Sequence, residues 1–251
     1  MLNPLLLQSG NDIPLLSAGL VIHPPTIKEI GYIGEKNFWN GVQFLDFSKS
    51  YINTNQNLNQ LDDFDILAAL VMQNDQGLKT HIAQLKLVLT LILPNYYFSV
   101  QSGSFVFIDE ADKEQKDKHI INSKNFGEFK SIIQEMFCMN TMFGYQKNYN
   151  PGGAMAEALV KKFEARRKKL AELNKGKGGE FNVLDLYVSV LSVGLKKSKR
   201  ELLKYTVYQL FDEFQRFTLK ESSDMTMKLK LANVKEVKDA ENWMKNIHGE
   251  D

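Results

Sequence analysis

The hydrophobic period of this chain changes twice, and those changes restrict its fold more than any other feature. Across residues 61–72, Leu61, Phe64, Leu67, Ala68 and Val71 recur at the three-and-four spacing of one helix face. Residues 80–93 are apolar nearly all round, as in a helix buried on most sides, and Pro94 ends the run because it cannot continue the helix. The period then becomes two. Residues 96–100 and 105–108 are aromatic and β-branched runs joined across Gln101-Ser102-Gly103-Ser104, which predicts an antiparallel hairpin over 96–108. His119-Ile120-Ile121 predicts a third strand. Helical spacing returns with Phe126, Phe129, Ile132, Ile133, Met136 and Phe137, a face able to cover the sheet. The expected class is α+β, mainly α.

Upstream, Leu15-Leu16 and Leu20-Val21-Ile22 flank Gly19 in an extended stretch that His23-Pro24-Pro25 stops. Thr26 with Glu29 three residues on predicts a capping box. Ile27, Ile30, Ile33 and Phe38 follow a helical stripe that Gly31 and Gly34 are expected to interrupt. Residues 39–47 form a second apolar patch, and the amide-rich 53–60 reads as a loop.

The last hundred residues read as a helical bundle. Residues 154–173 have high helix propensity and no proline. Lys175-Gly176-Lys177-Gly178-Gly179 is a linker. Further helices are expected over 181–193, 201–217, 223–231 and 235–247, with Trp243 and Ile247 docking the last.

Charge divides the chain at the same place. Residues 1–146 carry 10 basic and 15 acidic side chains, a net −5, whereas 147–251 carry 21 and 15, a net +6. The sign changes near Asn150-Pro151-Gly152-Gly153, whose Asn-Pro and Gly-Gly pairs punctuate structure. The expected domains are therefore 1–146, mixed α+β, and 147–251, helical.

A hydrophobic content of 43% with 11% aromatics excludes global disorder. One cysteine, Cys138, excludes an intramolecular disulfide framework and a multi-cysteine metal cluster. No basic region precedes Leu5-Leu6-Leu7, so no signal peptide is expected. The most apolar run, 85–93, is far short of the ~20 residues a membrane span needs. The expected compartment is reducing and aqueous.

Chemistry is sparse. His23, His81, His119 and His248 have no partner at a recognised ligand spacing, and Cys138 lies among Phe137, Met139 and Met142, where a thiol behaves as a small hydrophobe. Gly152-Gly153 and the Lys/Gly linker lack the G-x-x-x-x-G-K-[ST] of a phosphate loop. Asp62, Asp63 and Asp65 sit where a helix dipole favours negative charge. No catalytic residue, metal ligand or cofactor is expected. The strongest charge feature is Lys161-Lys162 with Arg166-Arg167-Lys168-Lys169. These six residues read either as a surface for an acidic partner or as a solvated helix face, with Glu164 and Lys168 paired and Phe163 and Leu170 inward. Aromatics are not interleaved as a nucleic-acid stacking platform requires.

One resemblance adds to this reading. Residues 145–152 (Tyr-Gln-Lys-Asn-Tyr-Asn-Pro-Gly), 187–195 (Tyr-Val-Ser-Val-Leu-Ser-Val-Gly-Leu), 205–217 and the ending 241–248 resemble a family encoded by tailed phages and prophages of Gram-positive bacteria among virion morphogenesis genes. Residues 22–30 are similar to the opening of tail or baseplate assembly chaperones. The resemblance implies a non-enzymatic tail-morphogenesis protein that binds a tail, tape-measure or baseplate protein in the host cytoplasm. A structural component of the virion, in baseplate, neck or tail, is the alternative. A nucleic-acid accessory protein acting through the basic helix is a third reading. The opposite charges of the two parts would also favour a homo-oligomer built head to tail. Membrane is not expected as a partner.

Overall fold

A computed structural model of the 251-residue chain describes residues 2–46, 62–73, 78–112, 117–139, 182–232 and 244. The chain divides into two compact units. The first comprises Met1–Met139 and Lys204–Tyr208, and the second Asn140–Leu203 and Gln209–Asp251. The fold is α+β and mainly α, with small antiparallel sheets and a helical C-terminal region.

The first unit opens with α1, Pro4–Ser9, which sequence patterning did not reveal. Its ends explain it. The Asn3 side chain accepts from the Leu5 N–H, Pro4 fills the first helical position, and Gly10 closes the helix in the left-handed region at φ 68°. A short hairpin follows, β1 (Ile13–Leu15) against β2 (Leu20–Ile22), with Ile13 opposite Ile22 and Leu15 opposite Leu20. All four of those side chains are buried, while Pro14 and Val21 point outward, the alternation a half-buried strand requires.

Helices α2 (Ile27–Ile33) and α3 (Glu35–Leu45) meet at Gly34, whose φ of 85° breaks the run. Gly31 does not interrupt it, contrary to expectation, and lies within α2. Helix α3 packs closely on α5 (Lys79–Ile92). A Cβ on Gly41 would lie 2.5 Å from the Gln84 carbonyl oxygen, so the missing side chain is what lets the two backbones approach. Helix α4, Asp63–Gln73, begins with Asp63 and Asp65 in its first turn, as the dipole argument expects.

The main sheet is a three-stranded meander in the order β3-β4-β5: Tyr96–Gln101, Ser104–Asp109 and Lys118–Ile121. Ser102 and Gly103 both have positive φ, 48° and 71°, the signature of a two-residue type I′ turn. One face of the sheet presents Phe105, Phe107 and Ile121 to the core. Phe64 from α4 meets Phe105 edge-on at 5.1 Å and Phe126 of α6 (Phe126–Met136) at 4.8 Å, which ties helix, sheet and helix together. A second aromatic contact joins Phe38 of α3 to Phe137 at 4.9 Å.

In the second unit, α7 (Val183–Gly194) buries Leu184, Val188 and Leu191. Its Tyr187 ring stacks on Phe214 at 3.9 Å and 11°, and meets Phe211 edge-on. The sequence predicts one helix over 201–217 and another over 223–231. Instead α8 is a single turn, Lys199–Leu202, the chain breaks at 203–206, and α9 runs unbroken over Val207–Leu231. The break has a physical cause. Ser198 and Glu201 form a capping box that starts α8, while Thr206 is held extended in a β-bridge to Thr26 and the Tyr205 carbonyl accepts from the Ile27 N–H at 2.8 Å. Backbone committed to those bonds cannot also be helical.

The basic helix expected over 154–173, the linker 175–179, the junction near 146 and the last helix over 235–247 lie outside the described residues.

Candidate functional site

A compact polar arrangement forms where β2 hands over to α2. His23 Nδ1 lies 2.9 Å from Asp12 Oδ1, and its Nε2 lies 3.7 Å from Glu29 Oε2. The His23 backbone N–H donates to the Ile92 carbonyl at 2.7 Å, which anchors the main chain at the end of β2. Thr26 engages the same Glu29 oxygen. Glu29 Oε2 accepts from both the Thr26 N–H and the Thr26 hydroxyl at 2.7 Å, and the Glu29 N–H donates back to that hydroxyl at 3.3 Å. Partial burial acts to raise the Glu29 carboxyl, but the two Thr26 hydrogen bonds and the charge of His23 outweigh it. The group is held below the ordinary value of 4.5.

Sequence reading found Thr26 and Glu29 but not the histidine's partners. Asp12 is 11 residues from His23, and only the β1–β2 hairpin brings them together. As chemistry, the arrangement is a polar tie between the β1–β2 hairpin and α2. The one hydroxyl beside it, on Thr26, is already donating to Glu29.

The other histidines are individually placed. His119 Nδ1 lies 3.2 Å from the Ala18 carbonyl oxygen, under the β1–β2 turn, with its ring edge-on to Tyr96. His81 sits against Phe44, and His248 lies outside the described residues. Cys138 is half-buried with φ 50°. Asp109, Ala111, Asp112, Asp117, Lys118 and His119 line a shallow concavity at the end of the sheet. Asp109 Oδ1 accepts from Ala111 N–H and Asp112 Oδ2 from Asp117 N–H, so these carboxylates also serve to turn the loop. Among the described residues, no group of three or more His, Cys, Asp or Glu side chains is arranged to hold a metal ion.

The six basic residues singled out from the sequence, Lys161, Lys162, Arg166, Arg167, Lys168 and Lys169, lie outside the described residues. A second basic segment that the sequence reading passed over is described: Lys196 and Lys197 between α7 and α8, with Lys199 and Arg200 opening α8. Lys197 reaches Glu213 at 3.4 Å and Lys199 donates to Ser189 Oγ at 3.1 Å. Lys196 and Arg200 are exposed. Lysines at the C-terminus of α7 complement its dipole, and that position, just past a helix end, is the signal that would have marked them.

No helix among the described residues is long and apolar enough to cross a membrane. Residues 179–248, covering α7 to α9, match the YomV second domain, a family of phage origin. No curated protein and no solved structure matches the chain.

Proposed function

We propose that this chain is a tail-morphogenesis protein of a phage or prophage. In this reading it works by binding rather than catalysis, as an assembly chaperone for a tail, tape-measure or baseplate protein. The observation that carries the reading is the match of residues 179–248 to a domain family of phage origin. The resemblance of 145–152, 187–195, 205–217 and 241–248 to morphogenesis proteins refines it to the tail. The partner surface is the basic segment at Lys161, Lys162, Arg166, Arg167, Lys168 and Lys169, which with Lys175 and Lys177 sets eight cations against two acidic residues over 161–177. Such a surface suits an acidic partner and speeds encounter.

The test is co-expression with each tail, tape-measure and baseplate gene of the same phage, followed by affinity capture from the tagged chain. One of these proteins should co-purify, with a yield that falls as salt rises. Capture of none of them in any combination overturns the proposal.

A further inference from the structure

The outer edge of β3 has no described strand beside it. Its sequence, Tyr-Tyr-Phe-Ser-Val-Gln, contains no charged residue and no proline, and it pairs with β4 residue for residue from Tyr96 to Gln101 without a bulge. None of its six side chains is buried, and Tyr97 is 62% exposed. Exposed edges are ordinarily guarded by Lys, Pro, bulges or a covering element. β3 has no lysine, proline or bulge. By contrast, β4 carries Asp109 and β5 carries Lys118.

The ladder shows which backbone groups face that edge. The turn is two residues long, so Gln101 and Ser104 exchange hydrogen bonds, and the exchange recurs at every second pair. The Glu110 N–H donating to the Asn95 carbonyl at 2.9 Å has the same parity. The intervening residues Tyr96, Phe98 and Val100 therefore point their N–H and C=O groups outward. Of these, the Tyr96 N–H is already spent on the Leu93 carbonyl at 3.2 Å. The outward donors are then Phe98 and Val100, and the acceptors include Phe98 and Tyr96.

We infer that β3 pairs with β3 of a second copy, antiparallel and centred on Phe98, to make a continuous six-stranded sheet. Centring there matches the groups: Phe98 exchanges two bonds with its symmetry mate, and each Val100 N–H meets the other copy's Tyr96 carbonyl. All four bonds use only groups left outward. Between two copies, electrostatics favours the same antiparallel direction. Asp109 and Glu110 stand at the Tyr96 end of the strand. An antiparallel two-fold sets each acidic end beside the other copy's uncharged Gln101–Ser104 turn, about 14–17 Å along the strand from its own acidic end. That is beyond the ~8 Å screening length, whereas a parallel approach would set the acidic ends together. The pairing also brings Tyr97 opposite Ser99 of the other copy.

This inference stands apart from the tail-assembly reading and is tested on the isolated full chain. Sedimentation equilibrium over a wide concentration range should show a reversible dimer. Val100→Pro removes an outward donor but no bond to β4, and should weaken the dimer about thirtyfold through the two bonds lost across it. Oxidation supplies a second readout, in a Cys138→Ser background. Tyr97→Cys and Ser99→Cys variants, mixed, should form a mixed disulfide, since non-hydrogen-bonded partners have Cα atoms about 4.5 Å apart. Either variant alone should not. A wild-type monomer at every concentration, a Val100→Pro dimer of wild-type strength, or no mixed disulfide would overturn it.

Discussion

Each unit uses a glycine to bring two helices together and a capping box to start one, and the two sets differ in what surrounds them. Gly41 faces the backbone of Gln84 and the side chain of Val88, whereas Gly194 faces the ring of Phe217, a half-exposed side chain. The capping boxes are nearly superimposable in their bonds. Thr26 gives 2.7, 2.7 and 3.3 Å, and Ser198 gives 2.8, 2.7 and 3.3 Å. Yet Thr26 is also bridged to Thr206 and its Glu29 faces His23, while the Ser198 box is exposed. Identical local chemistry thus carries different weight: in the first unit the devices meet backbone and further polar partners, and in the second they meet a half-exposed ring and solvent.

Substitution should separate them in a definite order. Gly41→Ala drives a methyl into backbone that cannot swing away, and should cost about 3 kcal/mol by urea unfolding. Gly194→Ala should cost about 1 kcal/mol, because the Phe217 ring can rotate and alanine favours the helix. Equal costs would mean that the α3–α5 contact yields as readily as a side chain. Thr26→Ala should cost about 1 kcal/mol and Ser198→Ala about 0.5 kcal/mol. A larger loss at Ser198 would reverse the ranking of the two boxes.

A pH difference sharpens the same contrast. Glu29 is held below its ordinary value of 4.5, so its contribution to stability is complete above that value and disappears as pH falls through the lower, folded value. Glu29→Gln should therefore flatten the acid side of the stability curve below about pH 4.5. Thermal unfolding at stepped pH measures it. An unchanged acid limb would show that the Thr26–Glu29 bonds do not favour the ionised carboxylate.

Much of the fold was legible because single faces dominate it. The three-and-four spacing of Phe64, Leu67, Ala68 and Val71 and the run ending at Pro94 gave α4 and α5, and the two-residue period around Ser102-Gly103 gave the hairpin. Thr26 with Glu29 announced α2. The same signal stood unread at Ser198 with Glu201, where the hydrophobic stripe over 201–217 suggested continuity. The break at 203–206 depends on bonds to Thr26 and Ile27, nearly two hundred residues away, which no local pattern contains. α1 escaped notice because six residues are too few to show a period, so its caps alone define it. The Asp12–His23 pair was hidden for the same reason as the break: a hairpin, not a motif spacing, creates it.

Whether the protein works through its basic segment is tested most directly by Lys162→Glu, Arg166→Glu and Lys169→Glu combined, positions whose i, i+4 and i+3 spacing would share one side of the helix expected from the sequence. Capture of the co-expressed tail protein is the measurement, with circular dichroism and unfolding midpoint as controls for folding. The triple variant should keep its midpoint while losing most of the captured partner, and what remains should be less sensitive to salt. A folded triple variant that captures the partner at wild-type levels would contradict a binding role for the segment and leave it a solvated face.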